Sequence, residues 1–395
     1  MAISTTPIPR TRHSVRPRRA MSRKTELAAA VLISTYERPE HLQRSLLSVS
    51  LQQGVAGKFE IVVTDDGSQD ETADLVADFA KSVDFPVQLT THKHAGFQLA
   101  RCRNEGVLAS SAPYLLFVDG DLILPPDFVA QHIKHRLPGI AMAGESCYLP
   151  EDTSTLVDEQ AIQDARFMQW IPASEQKRIA SKRFNARIYK FLRAKALPRF
   201  KGGNIGIWRE DYERVNGYDQ NFVGWGAEED DLQQRLSKQG VRFRSSLNWT
   251  TNCHMWHTPS PSFAPKLTGN STNRSYLRQP GRLSICRKGL RMRSLEELAI
   301  QANGNTNSPT AQQLLRGRFQ SASKPAEVEL LFAERGSRFT AKAECNVLIV
   351  DNSAHVTKKL LRQAHILVAD KPIQGTEELR QYPRHQFEEA LESIV

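Results

Sequence analysis

Cysteine is scarce in this chain and poorly placed for structural use. The 395 residues hold five, Cys102, Cys147, Cys253, Cys286 and Cys345, an odd and scattered set with no Cys-x-x-Cys. That argues against a disulfide scaffold and a thiolate zinc site, and it favours a reducing, cytoplasmic setting. Long hydrophobic runs are also missing: no stretch approaches the roughly 18–20 apolar residues of a membrane-spanning helix. Acidic residues are absent from one segment. Residues 1–25 carry Arg10, Arg12, Arg16, Arg18, Arg19, Arg23 and Lys24 with no acid, so they hold +7 of the net +10. The basic character is therefore a property of an extension, not of a nucleic-acid-binding face, and no nucleic-acid partner is expected. Residues 1–26 read as a disordered basic tail, with Met21 as an alternative start. Such a tail suits peripheral contact with anionic lipid at the inner face of a membrane, at about 1 kcal/mol per basic residue.

What is present is a globular composition, 40% hydrophobic and 24% charged. From residue 27 onward, strand and helix alternate. Residues 27–33 form a continuous apolar run ending in polar residues, as a central parallel strand does. Pro39 sits where a helix starts, with Leu42, Leu46 and Val49 as its stripe. Residues 59–63 read as the next strand, and Ser68-x-x-Glu71 as a capping box opening a helix through Leu75, Phe79 and Val83. A short strand at 86–89, a helix from Gly96 to about 109 and a strand at 114–118 follow; the last is the best candidate for the sheet centre. Another strand is expected at 139–143.

This order predicts an α/β fold with a doubly wound, mainly parallel, Rossmann-like sheet. Its ligands belong beyond the carboxyl ends of the strands. Residues 150–198 read as helical and charged, and 258–281 as a long mobile loop. A small C-terminal α/β appendage, of no assignable role, is expected over 320–395.

Asp119-Gly120-Asp121 follows the most apolar strand directly. Two carboxylates one residue apart can place oxygens around one hard cation, Mn²⁺ or Mg²⁺. In Asp65-Asp66-Gly67-Ser68, Asp66 is placed to accept from a nucleobase N–H. Gly224-Trp225-Gly226-Ala227 leads into four acids, Glu228, Glu229, Asp230 and Asp231. A ring beside a carboxylate suits sugar binding, the ring covering the apolar face and the carboxylate taking a hydroxyl proton. His254-Met255-Trp256-His257 offers two imidazoles to complete the ion's shell, His257 foremost. Lys201-Gly202-Gly203-Asn204 allows close backbone approach to a ligand. Arg101 and Asn104 share a helix at i, i+3 and are expected to face the crevice.

Together these segments resemble family 2 glycosyltransferases of the GT-A fold. The carriers are Ser34-Thr35-Tyr36-Glu37-Arg38-Pro39, Asp65 to Thr72, Gly96 to Gly106, Asp119-Gly120-Asp121, Gly202-Gly203-Asn204 and Gly224 to Leu232, in the family's order. The Gly-Trp-Gly-x-Glu end looks most like a galactosyltransferase-type C-terminal half.

The resemblance implies one domain over 27–300, with a nucleotide-binding half at 27–145 and an acceptor and catalytic half at 199–275. Thr35, Glu37, Arg38, Asp66, Arg101, Asn104 and Asp119 would then bind the donor. Asp121 and His257, with Asp119 and His254, would hold the metal. Gly203, Asn204, Trp225 and Gly226 would meet the acceptor, and the loop after His257 would close over the donor. The family usually reads Glu-Asp where this chain has Glu228-Glu229, so the base falls on Glu229, with Glu228 and Asp230 as rivals.

The implied reaction is inverting transfer of a sugar from a nucleotide-sugar, usually UDP-linked. The acceptor is a hydroxyl of a glycan, cell-envelope polysaccharide or lipid-linked molecule. The alternatives are a sugar nucleotidyltransferase, or a non-catalytic sugar-binding protein with a decayed site.

Overall fold

The computed structural model describes residues 26–191, 198–258, 272–316, 326–340 and 342–394. The basic tail, and most of the loop expected to close over the donor, lie outside the described residues. In the first half, strands and helices follow one another as β1 (Ala29–Thr35), α1 (Pro39–Ser50), β2 (Phe59–Asp65), α2 (Thr72–Ser82), β3 (Val87–Thr91), α3 (Leu99–Ala109) and β4 (Tyr114–Asp119). Then come β5 (Leu122–Ile123), α4 (Phe128–His135), β6 (Ile140–Ala143), β7 (Ser146–Tyr148), α5 (Glu151–Thr155), α6 (Glu159–Gln163) and α7 (Ala173–Phe191). The second half of this domain holds β8 (Ile205–Trp208), α8 (Arg209–Arg214), α9 (Glu228–Lys238), β9 (Arg242–Ser245) and β10 (Asn252–His254).

The main sheet runs β3-β2-β1-β4-β8-β6-β9, so β4 is its middle strand. All neighbours are parallel except β8, which runs against β4 and β6. The uninterrupted apolar strands follow from burial on both faces. Along β1, Ala30 and Leu32 enter one core with Phe117, Tyr212 and Leu232, whereas Ala29, Val31 and Ile33 enter the other with Leu42, Leu46 and Val118. The chain steps from β1 outward to β3, then returns to β4 on the other side of β1. That reversal is the switch point at which open α/β sheets bind ligands. Its two carboxyl ends are Thr35 and Asp119, and Gly120 N–H donates to the Ser34 carbonyl at 2.8 Å.

One helix start departs from expectation. Ser68 caps nothing: its Oγ donates to Asp65 Oδ1 and accepts from Glu37 N–H, and its own N–H donates to Asp65 Oδ2. The hydroxyl is spent closing the β1 and β2 ends together, and α2 starts later, at Thr72, whose N–H donates to Asp70 Oδ1.

A small sheet, β5-β10-β7, lies beside the main one and carries His254 on β10. The C-terminal part forms a separate five-stranded sheet, β11 (Ile300–Gly304), β12 (Val328–Phe332), β13 (Cys345–Val350), β14 (Ile366–Ala369) and β15 (Arg380–Tyr382), all parallel and in chain order. It begins at Ile300, some way before the pattern change read at 320. That first strand, Ile-Gln-Ala-Asn-Gly, is a partly exposed edge with one strongly apolar residue, too little to announce itself. All five cysteines are buried and free. Among the described residues no helix is long and apolar enough to cross a membrane.

Candidate active site

The carboxyl ends of β1 and β4 and the end of β10 bring one ligand set together. Oxygen and nitrogen atoms of Asp121, His254 and His257 all lie within 4.8 Å of one another. Asp121 Oδ2 is 3.0 Å from His257 Nε2 and 3.6 Å from His254 Nε2. Its other oxygen, Oδ1, is buried with no hydrogen-bond partner. The His257 ring is fixed by Nδ1–H donating to the Thr258 carbonyl at 2.9 Å. Nε2 therefore faces the Asp121 carboxylate either with a second proton or with a lone pair. In both cases a positive species belongs between the two atoms.

Arg38 supplies neighbouring charge, its Nη1 lying 3.1 Å from His257 Nε2 and 3.6 Å from Asp121. Burial pushes the Asp121 carboxyl up, but the His257 hydrogen bond and the charges of His254, His257 and Arg38 bring it down to about 2. The His257 imidazole is raised by its bond to Asp121, against burial. Two imidazoles, a carboxylate and an orphaned carboxylate oxygen fit a first-row divalent cation better than a fully hydrated Mg²⁺.

Asp119 does not join this set. Its Oδ1 accepts from Arg103 Nη2 at 3.0 Å, and Arg103 Nη1 donates to Glu229 Oε1 at 2.9 Å and to the Tyr218 hydroxyl at 2.9 Å. One guanidinium, 1% exposed, thus joins the end of β4 to the start of α9. Burial raises the Asp119 carboxyl, Arg103 opposes, and the charges of Asp121 and Glu229 add to the rise. Gly202 and Gly203 leave room for this cluster. A Cβ on Gly202 would stand 2.9 Å from Asp119 Oδ2 and 3.3 Å from Glu229 Oε1. The glycine pair thus accommodates the protein's own carboxylates, where a ligand had been expected.

The four acids of α9 separate cleanly. Glu229 points to Arg103 and the crevice. Glu228 is buried, and burial followed by the Glu229 charge pushes its carboxyl well above the usual carboxylate range. Asp230 turns outward to a bidentate pair with Arg199. Asp231 is buried between Arg235 and Arg282. Of the three base candidates, only Glu229 lies in the crevice. The turn before α9 has Gly224, Gly226 and Ala227 in the left-handed region, at φ of 83°, 95° and 75°. Trp225 is partly exposed between them, and Asn273 Nδ2 clamps the Gly224 and Gly226 carbonyls.

At the other end of the crevice Tyr36 stacks on His94, with ring centroids 4.3 Å apart. Asp66 is buried: Oδ1 meets His92 Nε2 at 2.9 Å and Oδ2 accepts from Gln98 N–H at 3.0 Å. His92 Nδ1 meets Glu105, and Glu105 accepts from Arg101, so Arg101 reaches Asp66 through a relay. Thr35 is buried and its carbonyl accepts from Asp66 N–H. Glu37 is exposed, with φ of 45°.

Two expected residues lie elsewhere. Asn104 is fully buried; its amide donates to the Tyr218 carbonyl and accepts from the Tyr212 hydroxyl, so no donor can reach it. Asn204 is fully buried against His132 and Ser246, behind Gly203. The Asn104 side chain serves the backbone at Tyr218, whereas the Asn204 oxygen accepts from side chains. Arg103 was missed. Its signal was present, since it shares the stripe of Ala100 and Val107, and an arginine on a buried stripe needs acids opposite.

Comparison with known proteins agrees in two stretches. Residues 30–138 match glycosyl transferase family 2, and residues 182–258 match the galactosyltransferase model described as its N-terminal domain. Validoxylamine A glucosyltransferase of Streptomyces hygroscopicus subsp. jinggangensis is 29% identical over 304 residues, 70% of this chain and 69% of that one. Chondroitin synthase of Escherichia coli is 26% identical over 231 residues, 55% of this chain and 33% of that enzyme. A mannosyltransferase from Pyrobaculum calidifontis, solved with GDP-Man and Mn²⁺, aligns with a TM-score of 0.42 at 18% identity, covering 64% of this chain and 70% of that one.

Proposed function

For a glycosyltransferase of the GT-A fold whose residues 30–138 belong to family 2, we propose metal-dependent, inverting transfer from a UDP-sugar to a hydroxyl of a glycan. The observation that carries this is the meeting of Asp121, His254 and His257 at the switch point, with Glu229 tied to the same strand end through Arg103. Asp121, His254 and His257 would hold the cation, which when bound supplies positive charge to the leaving diphosphate. Arg38 adds a fixed positive charge beside the same site. Tyr36 and His94 offer a flat surface to the base, the His94 ring held by Nδ1–H donating to the Asp66 carbonyl at 2.8 Å.

Glu229 takes the acceptor proton. It is held by one guanidinium and oriented toward the crevice. Asp119, the other carboxylate on that guanidinium, is tied to Arg103 at the end of β4, which leaves Glu229 as base in a direct displacement with inversion. Trp225, on its left-handed turn, covers the apolar face of the acceptor sugar. A nucleotidyltransferase would instead need a glycine-rich triphosphate loop after β1. Here that loop is Tyr36-Glu37-Arg38, closed by Ser68 and by Arg38's contact with His257.

The test is a thermal-shift and turnover screen of UDP-sugars with and without Mn²⁺. A donor and Mn²⁺ together should stabilise more than either alone, by about 2–3 kcal/mol at a hundredfold excess over the dissociation constant. Glu229→Gln should keep that shift and lose 10²–10⁴-fold in turnover, about the worth of a general base. Full turnover in that variant would remove Glu229 from the role, and indifference to every donor would sink the reading as a whole.

A further inference from the structure

Helix α7 seats one apolar residue inward, Ile179, beside Phe167 and Leu247. The cations next to it are satisfied: Arg178 bonds Glu145 and the Ser146 carbonyl, and Arg183 donates to the Leu247 carbonyl at 2.7 Å. Its outward face also carries large apolar groups. Phe184 is 63% exposed and Ile188 36% exposed, one turn apart on one face. Lys177 and Arg187 flank them, also exposed. From 177 through 199 the sequence has no acidic residue.

We propose that α7 docks on an anionic membrane surface, with Phe184 and Ile188 seated at the boundary of headgroups and acyl chains. A basic helix with an outward aromatic and aliphatic pair has the composition of an interfacial helix, in which apolar burial and attraction to anionic lipid add. A soluble polyanion would use Lys177 and Arg187 but has no use for Phe184 and Ile188. A second copy of the chain would set like charges against each other across two apolar side chains, far less than a stable dimer buries.

The helix also borders the crevice. The Arg178 guanidinium lies over the Tyr148 ring at 5.4 Å, and that ring contacts His254 at 5.1 Å. A docked α7 therefore brings the His254 side of the crevice to headgroup level, where a membrane-borne acceptor would be presented. The docking surface itself does not depend on the proposed reaction, because it is read by partition rather than by turnover.

The experiment uses the full chain and vesicles of phosphatidylcholine, with or without one quarter phosphatidylglycerol. The wild-type chain should co-sediment with the anionic vesicles and much less with the neutral ones. The double variant Phe184→Ser, Ile188→Ser should bind the anionic vesicles at least tenfold more weakly, with unchanged circular dichroism and melting temperature because both side chains face solvent. Residual binding through the basic tail should vanish in 0.5 M salt, whereas part of the wild-type binding should survive it. Amide exchange over 177–188 should slow when anionic vesicles are added, a readout that needs no variant. Equal partition of the double variant and the wild type would overturn the proposal, as would unchanged exchange in that helix.

Discussion

Arg103 is the residue on which the site turns. It is 1% exposed and balances Asp119 and Glu229. Replacing it with methionine keeps its bulk but leaves two carboxylates facing each other without a counter-charge. Breaking a buried pair in this way costs about 3–5 kcal/mol, which a shift in the urea midpoint would report. The acids of α9 give a sharper contrast. Glu228 is buried with its carboxyl pushed well up, so Glu228→Gln should change stability by less than about 1 kcal/mol at pH 7. Asp231→Asn would strip the carboxylate from Arg235, while Arg282 keeps Asp219, and should cost about 3–5 kcal/mol. Equal losses in the two variants would overturn this contrast.

Sequence alone singled out the four acids and placed the base at Glu229, but it could not sort them, because adjacent helical positions point about 100° apart and only the packing says which direction is inward. For the same reason it chose Arg101 and Asn104 on α3 and passed over Arg103 between them. Asp121, His254 and His257, far apart in sequence, were grouped from a carboxylate at a buried strand end and two imidazoles three residues apart, and the fold brings their ligand atoms within 4.8 Å of one another.

At the scale of elements, α4 carries a pH dependence. His132 is fully buried, its Nε2–H donates to Asn204 Oδ1 at 3.1 Å, and Nδ1 is buried without a partner. Burial brings its imidazole down to about 4. The unfolded chain, with an ordinary histidine near 6.5, binds the proton first, so stability is intact above about pH 6.5 and is lost as the pH falls toward 4. The loss from this one group amounts to at most about 3 kcal/mol. His132→Gln should flatten the fall of the denaturant midpoint between pH 7 and 4.5; a slope identical to wild type would rule His132 out.

The strands were the most legible elements, since central parallel strands announce themselves as unbroken apolar runs. Ser68 was misread because its hydroxyl had two competing offers. The strand-end turn, with an Asp65 carboxylate and a free Glu37 N–H, outbid the helix. The reversed strand β8 was not foreseen either, because four residues of Ile-Gly-Ile-Trp fix no direction.

At the scale of the molecule, the catalytic domain and the C-terminal sheet are sewn together. Leu283 lies in the apolar core of the C-terminal sheet. Arg287 pairs with Glu392 and Arg293 with Glu327, all four linking the connecting segment to that sheet. A chain ended at 299 would expose Leu283 and leave two largely buried arginines, Arg287 and Arg293, without their carboxylate partners. It should melt several degrees lower than the full chain or precipitate, measured by calorimetry. A truncated chain with undiminished melting temperature would show the sheet to be a passenger.

The antiparallel run of β8 has a wider consequence. Because that strand enters the sheet from the crevice side, the segment after it starts beside the end of β4, joined to the first half by the β4–β8 ladder, by Asn104 and by Arg103. Asp119, Arg103 and Glu229 form the charged part of that junction. Any replacement for the second half would have to reproduce the β4–β8 register and the partners of Asn104 as well as a carboxylate of matching reach at the head of its own α9 helix.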